Sequence, residues 1–280
     1  MKSSAIERRG KLRRLEQLRG SRIIVYIAYA PLDDNLLIPL YNQLSKLDLG
    51  KPIDLFLFSY GGSVDAPHRI VTLIREYTNK LGVIIPSVAK SAASMIALGS
   101  DEIVMGPLSE LGPIDPLVQH PNYKNLWVPI QSIRYCVDFA QKTLEYYSDS
   151  KTIIKVLEPL LDKLDPWLIG DYEKAIRASE QYAQHLLRQY MFKDDPDKAS
   201  EVTRTMIDGY FSHGYSINRD EAETKLGLKI VRPSEDMWNL IWSLFLDYID
   251  LMDEQGLSSI LDINRSNGEG SLFGLKEKRI

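Results

Sequence analysis

Two short stretches of this chain hold residues that could do chemistry. Lys90-Ser91-Ala92-Ala93-Ser94-Met95 places two serines in a run of small side chains, and Ser59-Tyr60-Gly61-Gly62-Ser63 places a glycine pair upstream. A serine in the first turn of a helix feels the positive end of the helix dipole, which favours negative charge developing on oxygen. Glycines at a strand-to-helix turn let the backbone come close to a ligand and aim N–H groups into a cleft. Together these pieces suit acyl transfer, with Ser94 attacking a carbonyl carbon and the N–H groups of Met95 and Gly62 holding the oxyanion. The same residues also have a structural reading. Ser91 would then cap a helix, Ser94 would fill a small-residue contact, and Gly61-Gly62 would serve a turn that needs positive φ. Local sequence leaves both readings open.

The surrounding pattern predicts the elements that must position these residues. Strands are expected at 23–27, 53–58, 83–88 and 102–105, and helices at 33–47, 63–79 and 92–98. Strand–helix alternation at this spacing predicts a parallel sheet with crossover helices, where chemistry gathers as strands end and helices begin. From 131 onward the periodicity is helical, at 131–148, 151–164, 171–192 and 198–211, with a turn at 193–198. A short helix at 218–226, capped by Asn218, precedes a strand at 228–231, and a long amphipathic helix covers 234–255. The tail from Leu257 is expected to be poorly ordered at its end. The resulting division is a basic N-terminal helix at 1–20, an α/β domain at 21–232 with a helical insertion at about 131–211, and a C-terminal helix and tail at 233–280.

Composition narrows the classes. The 280 residues carry a formal net charge of -4, which gives no overall pull toward nucleic acid or an anionic membrane. Basic residues crowd positions 5–20, but Glu7 and Glu16 interleave them and no aromatic side chain joins them, so no nucleic-acid partner is predicted. Ile6, Leu12, Leu15 and Leu18 instead give that helix an apolar stripe for packing. The most apolar helix, 237–252, contains Asp247 and Asp250 and is too short for a membrane span. Trp238, Trp242 and Phe245 on it could pack on the same domain or on a second subunit. The single cysteine, Cys136, excludes an internal disulfide and points to a reducing, cytoplasmic setting. Four scattered histidines and the absence of a phosphate-binding glycine motif predict neither a metal nor an organic cofactor.

Taken together, several motifs resemble one family. They are Arg19-Gly20-Ser21-Arg22-Ile23-Ile24, SYGGSVDA at 59–66, SAASMIALGSDEIVM at 91–105, LGPIDP at 111–116 and HGYSINRDEAETKLGLKIV at 213–231. The chain resembles the serine dehydrogenase proteinase family, within the Clp-protease and crotonase superfamily and related to signal peptide peptidase A. The resemblance implies an α/β fold of the Clp/crotonase-like ββα spiral type with a helical C-terminal part. It implies a serine peptidase acting on a peptide or protein substrate, and a homo-oligomer. Set against the Clp proteolytic subunit, it implies Ser94 as nucleophile, Gly62 and Met95 as oxyanion donors, and Gly61 and Ser63 beside the substrate, with Ser91 the alternative in a shifted register. The peptide is expected to lie extended beside SYGGSV through main-chain hydrogen bonds.

The base is less well marked. Where Clp subunits carry a histidine, this chain has Ile114. Signal peptide peptidase A relatives use a Ser-Lys dyad, which implies Lys142 on an apolar helix, or Lys124 in a polar loop. A lysine serves as a base when burial lowers its pKa toward neutrality. His213, in Phe211-Ser212-His213-Gly214-Tyr215, is a third candidate, as a base or as a turn histidine. His120 reads as a loop residue, Asp65 and Asp115 as cleft-facing or anchoring carboxylates, and Lys90 as pointing aside. The missing histidine also permits a non-catalytic oligomeric scaffold or peptide-binding protein with the same fold. A crotonase-like acyl-CoA enzyme is a third, minor reading.

Overall fold

The structure is a computed structural model that describes residues 4–119, 127–146, 155, 158, 166–264 and 270–275. Uninterrupted apolar runs make its centre, as expected of strands covered on both faces. Strands β1 (Arg22–Ala28), β2 (Ile53–Ser59), β3 (Leu81–Ile85), β5 (Glu102–Met105) and β10 (Ile230–Val231) lie parallel in the order β10-β5-β3-β2-β1. Beyond β1 the sheet continues antiparallel, through β11 (Ser259–Asn264) and then β12 (Gly270–Leu275). The sequence pattern missed this extension, because Ser259-Ile260-Leu261-Asp262-Ile263 falls in the segment read as a tail.

Alternating side chains sort onto two cores, since successive residues of a strand point to opposite faces. Ile24, Tyr26, Leu55, Leu57, Val83, Ile85 and Ile103 face one side. There they meet helices α2 (Leu37–Leu44), α3 (Ala66–Arg75) and α4 (Ala92–Leu98). Farther out on this side are α6 (Pro166–Gln189) and α7 (Pro196–Asp208), with α5 (Gln131–Tyr146) leading toward them. Ile23, Val25, Ile27, Phe56, Ile84 and Val104 face the other side. They are covered by Leu12 and Leu15 of α1 (Ala5–Arg19) and by Ile241, Leu244, Tyr248 and Met252 of α9 (Glu235–Gln255). The apolar stripe of α9 therefore packs on its own domain. Trp238 lies against Gly106, where a Cβ would stand 2.1 Å from the indole. Lys11 of α1 pins α9 through Asp247 at 2.7 Å and Ser243 at 2.6 Å.

A second ladder leaves the end of β2. Ser59 pairs with Ala89 of β4 (Val88–Ala89), β4 pairs in parallel with β6 (Glu110–Leu111), and β6 pairs antiparallel with β9 (Ile217–Asn218), which leads into α8 (Arg219–Thr224). A separate hairpin joins β7 (Leu117–Gln119) to β8 (Trp127–Pro129). Among the described residues, no helix is long and apolar enough to cross a membrane.

Candidate active site

The small ladder β2–β4–β6–β9 fixes which segments meet. Ser59 is opposite Ala89, Ala89 opposite Leu111, and Leu111 opposite Ile217. Lys90-Ser91 follows Ala89, and residues 112–115 follow Leu111. Because β9 runs the other way, residues 213–216 precede Ile217 at that same end. Gly61-Gly62, Ser91, Asp115 and His213, far apart in sequence, thus emerge at one end of the ladder.

Ser91 stands at the turn between β4 and α4 with φ 52° and ψ -119°. Among the described residues it is the one non-glycine with positive φ. That region is sparsely populated for a residue with a Cβ and costs about 1–3 kcal/mol. Ser91 is half-exposed, and its hydroxyl takes no hydrogen bond among the described residues. Gly61 packs directly onto it. With φ +102°, a Cβ at Gly61 would stand 2.8 Å from both the Ser91 Cβ and the Lys90 carbonyl oxygen, and 3.1 Å from the Ala92 nitrogen. Only glycine permits this approach.

Two backbone N–H groups flank this contact. Leu32 N–H donates to Gly61 C=O, and Ser63 N–H donates to Leu32 C=O, each at 2.8 Å. The intervening Gly62 therefore turns its N–H away from Leu32, and Gly62 is exposed. Ala92 is the first residue of α4, where an N–H has no intrahelical partner. Neither N–H takes a hydrogen bond among the described residues.

Ser94 is placed differently from the expectation for a nucleophile. It lies inside α4 with no exposed surface. Its Oγ donates to Ala89 C=O at 2.6 Å and accepts from Gly112 N–H at 2.9 Å. The hydroxyl thereby ties β4 to the segment after β6 and is inaccessible to a substrate. Met95 N–H donates to Ser91 C=O at 3.1 Å, so it is committed to the helix and does not face an oxyanion. Of the expected oxyanion pair, Gly62 keeps a free N–H. Of the two residues expected beside the substrate, Gly61 lines the turn, while Ser63 spends its N–H on Leu32 and its Oγ on Asp65 N–H at 3.3 Å.

The histidine and carboxylate come together. His213 Nδ1 lies 2.9 Å from Asp115 Oδ1, and the Asp115 side chain is only 2% exposed. An aspartate accepting from Nδ1–H holds the imidazole in the tautomer whose Nε2 can take a proton. Ile114, which the sequence pattern sets against the Clp histidine, is buried, and Ser179 of α6 anchors its carbonyl at 2.7 Å. Lys142 lies exposed on α5, without the desolvation that a neutral amine base requires. Lys124 and His120 lie outside the described residues. Among the described residues there is no group of three or more His, Cys, Asp or Glu side chains that could hold a metal ion.

Three roles had no single sequence signal. Ala92 as an N–H donor follows from where α4 starts. The His213–Asp115 contact joins residues 98 apart. The positive φ of Ser91 is a backbone property. The sequence pattern had named His213, Asp115 and Ser91 separately without joining them.

Residues 1–256 match the model of the ClpP-like SDH-type serine proteinases. The chain belongs to that family. The ClpP-like fold expected from the motifs is therefore the fold of this proteinase family member. Two uncharacterised proteins of Methanocaldococcus jannaschii, MJ1495 and MJ0137, are 28% and 29% identical to it over 233 and 231 residues. Each alignment spans 78% of this chain, and 70% and 71% of the respective relative. Among solved structures, it is similar to a mutant of the 1510-N membrane-bound stomatin-specific protease in complex with a substrate peptide. That match has 14% identity and a TM-score of 0.45, covering 91% of this chain and 88% of the other. A mutant of ClpP1 from Listeria monocytogenes matches with 15% identity and a TM-score of 0.39, covering 80% of this chain and 98% of the other.

Proposed function

We propose that this family member hydrolyses peptide bonds with Ser91 as nucleophile, the N–H groups of Gly62 and Ala92 as oxyanion hole, and His213 held by Asp115 as general base. The observation that carries the reading is the strained, half-exposed Ser91 turn with Gly61 packed on its Cβ. A fold keeps such a conformation where it is over-determined by its surroundings, and such positions cluster at active sites.

The steps follow from the groups present. His213 Nε2 takes the Ser91 hydroxyl proton as Oγ bonds to the scissile carbonyl carbon. The carbonyl oxygen becomes an oxyanion between Gly62 N–H and Ala92 N–H, where donors already oriented cost no reorganisation. The C–N bond then breaks, and the leaving nitrogen takes the proton from His213. A water molecule, deprotonated by His213, attacks the acyl carbon, and the Ser91 Oγ leaves with that proton. Asp115 holds the ring and offsets its positive charge throughout. His213 is preferred to Lys142 as base, because Lys142 is in water and His213 already has a buried carboxylate partner. A peptide strand would approach Gly62 on the side away from Leu32. We extend the reading to a homo-oligomeric working form, consistent with the exposed apolar Ile38 and Tyr41 of α2 and Phe211. Light scattering reads that directly.

The test is intact-mass spectrometry after treatment with a broad fluorophosphonate. One adduct on the wild-type chain, absent in Ser91→Ala and slowed about 100-fold or more in His213→Ala, is expected. A wild-type chain that takes no adduct between pH 7 and 9 points instead to the scaffold reading.

A further inference from the structure

Lys90 is adjacent to Ser91, yet its side chain turns away from it. The ammonium donates to Gly214 C=O at 2.8 Å and Tyr215 C=O at 3.1 Å, and pairs with Glu110 Oε1 at 3.1 Å. Three acceptors account for all three N–H donors of an ammonium. The side chain is only 13% exposed. Its aliphatic stem lies against Gly112, where a Cβ would stand 2.9 Å from Lys90 Cδ and 3.2 Å from Lys90 Cβ. Glu110 in turn accepts from the Ser216 hydroxyl. One side chain thus touches the turn that carries His213, the segment that leads to Asp115 and the strand β6 between them. Its own backbone carries Ser91.

Apart from the His213–Asp115 and Ser216–Glu110 contacts, the turn is held among the described residues chiefly by its own groups. Gly214, Tyr215 and Ser216 are exposed, and Tyr215 N–H donates to Ser212 C=O within the turn itself. The Tyr215 ring stacks on Tyr210 at 4.6 Å, and its hydroxyl donates to Glu221, which places the ring but not the carbonyl groups before it.

We propose that Lys90 is a positioning residue, which sets the His213 imidazole over Ser91 by clamping the Gly214 and Tyr215 carbonyl groups. This rests on the reading of Ser91 and His213 given above. It assigns Lys90 no proton transfer, since its N–H groups are directed at the Gly214 and Tyr215 carbonyl groups and at Glu110. Small displacements of a catalytic group are costly, about 100-fold in rate for about 1 Å.

The experiment follows the rate of Ser91 fluorophosphonate labelling in the full chain. Lys90→Met is expected to lower the limiting rate about 10- to 100-fold with little change in the reagent concentration giving half that rate. Lys90→Arg, which keeps the cation, should recover most of the loss. Lys90→Met combined with His213→Ala should be no slower than His213→Ala alone, because residues that act as a unit are non-additive. A double variant that shows the full product of both losses overturns the proposal, as does a Lys90→Met variant that labels at the wild-type rate. If His213→Ala labels normally while Ser91→Ala takes no label, it is the base that has been misassigned, and Lys90 falls with it. Amide exchange of residues 214–216 supplies a readout independent of labelling. Faster exchange in Lys90→Met supports the clamp, and unchanged exchange overturns it. Should Lys90→Met not fold, Glu110→Gln removes the negative charge from one anchor of the ammonium and is expected to give a smaller loss of the same kind.

Discussion

The two serines can be separated by stability and labelling measured on the same variants. Removing the Ser94 hydroxyl leaves the Ala89 C=O without its 2.6 Å donor and the Gly112 N–H without its 2.9 Å acceptor. Ala89, Ser94 and Gly112 are all buried, so water cannot replace the lost partner. A buried polar group left unpaired costs about 1–3 kcal/mol. Two such groups set the expected loss for Ser94→Ala at about 3 kcal/mol. For a chain of this size that is a fall in Tm of roughly 6–12 °C. Ser91→Ala behaves differently. Its hydroxyl has no hydrogen-bond partner among the described residues, and alanine bears the positive φ as badly as serine does. Its stability should stay within about 0.5 kcal/mol of wild type, as for other substitutions that break no specific contact. Ser91→Gly goes further, relieving the φ of 52° and gaining about 1 kcal/mol. The assay is thermal unfolding followed by circular dichroism, with intact-mass labelling of each variant below its Tm. The reasoning fails if Ser94→Ala melts with wild type and loses the adduct while Ser91→Ala still takes it.

Gly61→Ala must fit a Cβ 2.8 Å from the Ser91 Cβ at a φ of +102°, so it should cost about 2 kcal/mol and abolish labelling; urea midpoints and intact mass check both. Arg19 donates to Asp54 at 2.7 and 3.2 Å and pairs with Glu102 at 2.5 Å, with the Asp54 side chain 3% exposed. Arg19→Met leaves that carboxylate buried without its cation, with the Ser21 hydroxyl at 2.7 Å still donating to it, and should cost about 3 kcal/mol, part of which a second substitution, Asp54→Leu, should restore. The His68 pKa is depressed, first by burial and second by the neighbouring His185. A folded pKa below the unfolded one means that the unfolded chain binds the proton first. The contribution of His68 is therefore intact above about pH 6.5 and lost as pH falls from there through the folded pKa. Urea midpoints at pH 7.5 and 5.5 should show that decline, and His68→Gln should flatten it.

The central strands were legible because burial on both faces writes them as unbroken apolar runs, as in Ile23-Ile24-Val25-Tyr26-Ile27. The glycine pair was legible because strand, glycines and helix follow one another without a gap. β11 was not, since its partner β1 lies more than 200 residues earlier and nothing local distinguishes Ser-Ile-Leu-Asp-Ile from a tail. The choice between Ser94 and Ser91 turned on where α4 begins. Ala92 and Ala93 suit either side of a helix boundary, so matching the string Ala-Ala-Ser-Met to a Clp pattern favoured Ser94, whereas the start of α4 favours the Ser91 proposed here. A backbone conformation leaves no trace in residue type when it is held by a tertiary contact, here Gly61 against Ser91. The link between Asp115 and His213 depends on the register Leu111 opposite Ile217, which only the folded sheet supplies.

The antiparallel β11 has a consequence in time. During synthesis, β1 is complete at Ala28, while β11, which pairs along it, starts at Ser259. At about 5–20 residues per second, this edge of the sheet waits roughly 10–50 seconds for its partner. Ser91, Asp115 and His213 all leave the ribosome before β11 does. The nascent chain can therefore bring the proposed site together while a row of β1 backbone donors and acceptors is still open to other chains, a hazard that ends only when the last strands dock.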